Sequence, residues 1–262
     1  MLPREHGAWS LLLTPFVAAL LVAGRLNGEA ALALAAVLAA FLVREPLIVL
    51  ARQRWVWREQ RAEAAVARKW LLIWGLAVAG SGGALVWRWG WREAGLMGAG
   101  AAALTGIAVW MTVNNRQRSA WLQVASCGGL TFSAVASARA VSGGFPQWAW
   151  ILWGLCWLQG VAGILTVHTR LEALTGKKTG KTENRFRPQA WAAVGLMAGV
   201  AVGLAVKGAW LLAPAPGLAA LAHGWELAAM RLETRLKVVG LRAMSLSIGY
   251  ALLVVAALRM GG

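Results

Sequence analysis

Three histidines and a few carboxylates are the residues of this chain whose types could support chemistry. His6, His168 and His223 all fall where apolar segments end on one predicted side of the molecule. His168 precedes Glu172 by four residues. His223 precedes Glu226 by three, and on a helix both spacings place an imidazole beside a carboxylate. Such pairs could bind a transition metal or carry out acid–base chemistry on a lipid headgroup, whereas the alternative is that amphipathic histidines simply favour an interface.

The N-terminal stretch 3–9 is the most distinctive local feature, because it places a charged, His-bearing box at the start of an apolar segment. Glu5, His6 and Trp9 are its candidate site residues. Glu45 lies towards the end of the second apolar segment, and we expect it at the same depth in the membrane as His6. The sequence therefore predicts a polar site near the start of the first helix.

A short polar link at 114–118 separates the fourth and fifth apolar segments. Asn114, Asn115, Arg116 and Arg118 could line a site for a phosphate-bearing ligand, and Arg170 could join them because arginine pairs bidentately with phosphate oxygens. The alternative is that they cap helices and supply positive charge at the membrane surface.

Composition defines the elements that must position these residues. The 262-residue chain is 59% hydrophobic and 14% charged, with a mean hydropathy of +0.61. A soluble domain of this length carries about a quarter charged residues. We expect an all-α fold, a polytopic transmembrane bundle of about nine helices. The chain also contains no Asp, which excludes any chemistry that requires an aspartate.

Hydropathy, turn residues and flanking charges predict nine spans of membrane-crossing length. The eighth is the weakest, because Pro214 and Pro216 should break or kink it. The spans are 8–23, 30–50, 70–87, 94–113, 119–138, 148–167, 190–206, 209–222 and 244–258.

The basic residues predict the orientation. Of the 26 Lys and Arg residues, 19 fall on the side of the N-terminus and the long loops, and 6 on the other. The positive-inside rule places the N-terminus and the long basic loops in the cytoplasm. No nucleic-acid motif accompanies the net charge of +16, so we expect membrane lipids, and no nucleic acid, as partners.

Loop lengths predict an internal repeat within a single transmembrane domain covering 1–262. Two long basic loops, 51–69 and 169–189, each follow the second helix of a four-helix set. The predicted repeats cover about 8–113 and 119–222, with a final helix at 244–258. Gly195, Gly199 and Gly203 also predict a closely packed face on the seventh helix.

The chain resembles the YwiC-like family of bacterial membrane proteins, whose members open with a similar His-Gly-Ala-Trp box. Looser similarity covers much of the rest of the chain. The resemblance implies a multi-pass protein of the bacterial cytoplasmic membrane and brings no established reaction with it. The matching stretches are 6–9, 44–46, 114–118, 160–170 and 237–242.

The layout is also similar to that of UbiA-type intramembrane prenyltransferases, which carry Asp-rich motifs in the same two loops. In that family the motifs hold magnesium ions that neutralise an isoprenoid diphosphate. Here Glu59 and Glu63 are the candidate metal ligands in the first loop, with a spacing that would place both on one helix face. Glu172 and Glu183 are the carboxylates of the second loop. Magnesium is the cofactor that this resemblance implies.

Three functions therefore stay open at this level. The first is non-catalytic binding of a lipid or isoprenoid-type ligand in a cavity open to the cytoplasmic face, with an anionic lipid as one such ligand. The second is a divergent prenyltransferase that uses Glu in place of Asp. The third is a small-molecule transporter or a metal protein built on the histidines, with His223 and Glu226 among its ligands.

Overall fold

The computed structural model describes residues 6–59, 61–116, 119–179, 184–230, 232 and 236–261. The candidate residues Glu5 and Arg118 lie outside the described residues. Glu183 and the side chain of His6 lie outside them as well.

The described residues form eleven α-helices and two π-helical turns that join into nine helical runs, in agreement with the nine predicted spans. Helix α3 continues into the π-helical turn Gln53–Trp57, and the turn Trp91–Gly95 leads into α5. The α-helices are α1 (His6–Ala23), α2 (Gly28–Leu42), α3 (Arg44–Arg52), α4 (Glu63–Trp89), α5 (Leu96–Val113), α6 (Ala120–Thr131), α7 (Ser133–Ser142), α8 (Gln147–Thr179), α9 (Phe186–Val206), α10 (Pro214–Ala228) and α11 (Leu236–Met260).

Seven of these helical runs are long and apolar enough to cross a membrane. Helix α1 is a shorter apolar helix. Helix α10 has only 15 residues, which corresponds to about 22 Å at 1.5 Å per residue, less than the ~30 Å of bilayer hydrocarbon. The described part of the chain therefore has the architecture of a multi-pass helical membrane protein.

The prolines of the eighth predicted span mark the start of a helix that is shorter than the span. Residues 207–213 form turns, and α10 starts at Pro214 with the prolines in its first turn. Proline is tolerated there because the first helical amides have no partner within the helix. The helix therefore does not extend over the whole predicted span 209–222, as the prolines indicated, and they set where α10 starts.

One predicted span is divided by a bend at Phe132, between α6 and α7. The Thr131 hydroxyl donates to the carbonyls of Cys127 and Gly128, at 2.9 and 3.2 Å, and the buried Ser133 hydroxyl donates to the Leu12 carbonyl of α1 at 2.6 Å. Hydroxyl groups that bind helix carbonyls favour bending. The bend therefore brings α7 onto α1.

Glycines allow α8 to approach its neighbours closely. A Cβ on Gly160 would overlap Cys127 of α6 and Leu11 of α1, and one on Gly128 would lie 3.0 Å from the Trp157 ring. By contrast, Gly195, Gly199 and Gly203 have no atom within 4 Å of the place a Cβ would take. Within the described chain, the close packing predicted on that face of α9 is therefore wrong, and the tight glycines lie on α8 and α6.

Candidate functional site

The helix bundle has two ends that differ in charge. We call the basic end the one where α1 begins and α8 ends, with the long basic segments 51–69 and 169–189. The opposite end is the one where α1, α4, α7, α9 and α11 finish. Most candidate residues lie at the basic end.

His168 lies on α8, where α6 and α9 meet it. One ring nitrogen, Nε2, is 2.5 Å from Oε1 of Gln123 on α6. The ring is also tilted over Phe186 of α9, with centroids 4.7 Å apart. The imidazole therefore links three helices at the basic end.

Glu172 is one helical turn beyond His168 on α8, as the spacing predicted. Its Oε2 accepts the backbone amides of Arg185 and Phe186, at 2.7 and 3.4 Å. These amides belong to the start of α9, where the first donors of a helix lack internal partners. The carboxylate thus has a structural role as an N-terminal cap of α9.

Asn184 is a structural residue at this junction that sequence analysis missed. Its Nδ2 donates to the Thr169 carbonyl of α8 at 2.6 Å, and its Oδ1 accepts the Arg187 amide at 3.2 Å. An Asn just before a helix that carries Pro188 in its first turn is a recognisable start signal. That signal could have placed the start of α9 at 186 instead of 190.

One face of α8 carries a row of buried polar residues that we call the α8 polar row. Gln159, Thr166, Thr169 and Arg170 are each at most 4% exposed. The threonine hydroxyls donate to the carbonyls four residues earlier in the same helix. Gln159, Thr166 and Arg170 follow helical spacing, a pattern that an average hydropathy over this largely apolar helix hides.

His223 reaches the α8 polar row from α10. Its Nε2 is 3.2 Å from Oε1 of Gln159, and its Cε1 lies 3.8 Å from where a Gly163 Cβ would be. The residue is 2% exposed, and its Nδ1 is buried with no hydrogen-bond partner among the described residues. Glu226 lies on the same helix and is partly exposed. His223 thus faces Gln159 of α8 inside the bundle.

The first basic loop does not present its carboxylates as predicted. Glu59 lies in a bend between the turn Gln53–Trp57 and α4, whereas Glu63 is the first residue of α4. The expectation that both share a helix face is therefore wrong, because the helix begins only at the second of them. Both residues are exposed, and nowhere in the described part of the chain do three His, Cys, Asp or Glu residues gather in a way that could hold a metal ion.

The link 114–116 ends α5 with a left-handed cap. Asn115 has a φ of 57°, its amide donates to Thr112, and the Arg116 amide donates to Met111 at 2.8 Å. Asn is one of the few residues that adopts this conformation readily, so Asn115 ends α5 as a left-handed cap. The Arg116 side chain is exposed.

Two further candidate residues, Trp9 on α1 and Glu45 on α3, contact neighbouring side chains. Trp9 packs edge-on against Phe41 of α2, with centroids 5.1 Å apart. Glu45 on α3 has its carboxylate 3.8 Å from the Arg44 guanidinium, and α3 packs against α4 and α5. These contacts give Trp9 and Glu45 packing and pairing roles.

A charged network at the opposite end escaped sequence analysis. Trp89 Nε1 donates to Glu29 at 2.9 Å, and Arg88 lies 3.5 Å from the same carboxylate. The Arg139 Nε donates to Glu93 at 2.5 Å, and its guanidinium covers the Trp89 ring, 5.1 Å from the centroid. The sequence could have indicated this network, because Glu29 and Glu93 are the only acidic residues predicted for that side. The network connects α2, α4 and α7.

The part of the chain that the structure describes has nine helical runs, seven of them long apolar spans, and polar side chains buried between helices. These features define a polytopic helical membrane protein. The sequence profile of the YwiC-like protein family matches residues 2–138, which is more than half of the 262-residue chain. The chain belongs to the YwiC-like family. No curated protein and no solved structure matches it.

Proposed function

We propose that this protein binds a lipid or isoprenoid-type ligand with an anionic headgroup, at the basic end of the bundle beside the α8 polar row. The observation that carries this proposal is the burial of Arg170, 3% exposed, in the same row as Gln159 and Thr166. Polar and ionisable residues inside a membrane bundle are costly and are typical of ligand or ion sites. The row is therefore the best-supported place for a ligand headgroup.

Charge favours an anionic headgroup. The basic end carries most of the net charge of +16, and Arg170 adds a buried guanidinium. A guanidinium binds phosphate oxygens with two parallel hydrogen bonds, and this interaction is stronger where water is excluded.

Native mass spectrometry of the detergent-purified protein tests this proposal. We expect a co-purified phosphate-bearing lipid or isoprenoid on the wild type and about tenfold weaker binding in Arg170→Gln, since one charge-assisted contact is lost. Arg187→Gln is the matched control, because Arg187 is exposed on the neighbouring helix α9. Thermal unfolding and gel filtration show that each variant is folded. A wild type without such a ligand, or equal binding in folded Arg170→Gln, contradicts the proposal.

The same preparation separates this function from catalysis and from metal binding. A Glu59→Gln, Glu63→Gln double variant should bind the ligand as the wild type does, because both side chains are exposed away from the row. If the double variant instead loses magnesium-dependent turnover or diphosphate binding, prenyl transfer replaces our proposal. Stoichiometric metal in protein purified without chelator would instead favour a metal site that includes His223.

A further inference from the structure

An apolar groove runs between the first and the last helix, away from the α8 polar row. Its volume is about 230 Å³, and of its nine lining residues only Thr14 is polar. The Thr14 hydroxyl lies 3.4 Å from the Ser10 hydroxyl on its own helix. Sites for whole drug-sized ligands have volumes of about 300–1,000 Å³, so this groove fits part of a hydrocarbon chain. The lining residues are Leu13, Thr14, Val17, Ala18 and Leu21 of α1, and Ile248, Ala251, Leu252 and Val255 of α11.

The groove opens on the outside of the bundle. Val17 on α1 is 48% exposed, and Leu252 on α11 is 53% exposed. Both helices are apolar, so this surface faces bilayer hydrocarbon and a chain can enter from the side. Lipid chains therefore surround the groove, and the groups at its ends determine which lipid headgroup can bind there.

The groove lies closer to the opposite end than to the basic end. Leu21 is three residues from Gly24, and Val255 is four residues from Arg259, so about 4.5–6 Å of helix separates the lining from that end. At the other end, seven residues separate Leu13 from the start of α1. A lipid that fills the groove therefore has its headgroup at the opposite end.

Arg259 lies directly at this end of the groove. Its Nη2 is 2.5 Å from the place a Cβ on Gly24 would take, so the guanidinium rests on the backbone where α1 finishes. Gly24 has a φ of +66° and no side chain, which leaves room for that contact. The last turn of α11 thus reaches across to α1 and presents a cation between them.

The described carboxylates at the opposite end are close to arginines other than Arg259. Glu29 lies against Arg88, and Glu93 is bound by Arg139. Within the described residues these are the carboxylates of the opposite end, and neither forms an ion pair with Arg25 or Arg259. Both of these arginines are exposed beside the groove. A phosphate group is the chemistry that matches them.

We propose that the α1–α11 groove and Arg259 form a binding site for an anionic phospholipid, whose acyl chain lies in the groove and whose phosphate pairs with Arg259. This site is separate from the ligand site at the basic end.

Binding of phosphatidylglycerol and phosphatidylcholine with identical chains, measured by native mass spectrometry on the full chain, tests the site. The wild type should retain phosphatidylglycerol in preference to phosphatidylcholine. Arg259→Gln should reduce phosphatidylglycerol binding about tenfold, as for one lost charge-assisted contact. Val17→Trp should reduce binding by filling the groove. Arg92→Gln at the same end and Leu76→Trp, 64% exposed on α4, are the matched controls and should bind as the wild type does.

The proposal is overturned if Arg259→Gln keeps its phosphatidylglycerol, if both lipids bind equally, or if the two controls lose as much as the test variants. A fall in thermal stability of Arg259→Gln with unchanged lipid would show that Arg259 only caps α11. Arg170→Gln in the same assay should leave the Arg259-dependent lipid in place, so failure of one site is distinguishable from failure of the other.

Discussion

Arg139 shows at the scale of one residue how a charge is held near the bilayer. It is 8% exposed, with Glu93 on its Nε and the Trp89 ring against its guanidinium. Removing one partner of a buried ion pair is costly because it leaves the other charge unpaired in a medium of low dielectric. The main effect of losing one partner would therefore be the unpaired charge that remains, and not the lost attraction between the two.

We expect Glu93→Gln to lower the free energy of unfolding by about 1–2 kcal/mol, below the 3–5 of a fully buried pair because the Glu93 side chain is 38% exposed. Denaturant unfolding in detergent measures this difference. Arg92→Gln is the control, since Arg92 is exposed, and it should change stability by less than about 0.5 kcal/mol. Equal stability of Glu93→Gln and wild type would show that solvent reaches the pair.

At the scale of helices, hydropathy, turn residues and flanking charges located the nine runs of the described residues but misplaced several of their limits. Helix α8 was predicted over 148–167 and ends at Thr179, because helix formation continues through polar residues after hydropathy has fallen. The bend at Phe132 depends on Ser133 binding a carbonyl more than a hundred residues away, which no local pattern reveals. Contacts between distant segments therefore decide what hydropathy leaves open.

Gly160 and Gly154 on α8 allow a matched test of helix packing. Gly160→Ala should destabilise the protein by about 1–3 kcal/mol, since its Cβ would overlap Cys127 and Leu11 and force α8 away from α6 and α1. Gly154→Ala meets no atom within 4 Å and should be neutral or stabilising by up to about 1 kcal/mol. Thermal midpoints in one detergent compare the two. Equal midpoints would mean that α8 does not depend on this contact.

At the scale of the whole molecule, the sequence was sufficient for the helical class, the number of runs and the family. It was less informative about the candidate site. Glu172 was a candidate for chemistry, yet its carboxylate caps α9, and Gln159 was overlooked although it meets His223. Spacing along one helix shows which residues share a face, but not which neighbouring helix that face meets. The two four-helix repeats stay a prediction.

The distribution of basic residues predicts that the basic end faces the cytoplasm. Both native cysteines are buried, so single introduced cysteines can report exposure to a membrane-impermeant maleimide. In spheroplasts, Leu26→Cys, at a position 75% exposed between α1 and α2, should be labelled. Val56→Cys, at a position 48% exposed in the first basic loop, should react only after lysis. The reverse pattern would invert the predicted orientation.

The short helix α10 has a consequence for how the protein is made. With 15 residues that begin at two closely spaced prolines, it offers the insertion machinery no span of full length. Helix α9 is long and apolar, and it packs extensively against α10. We therefore expect α10 to enter the membrane together with α9 as a hairpin. Correct insertion of α11 then depends on the pairing of α9 with α10 during synthesis.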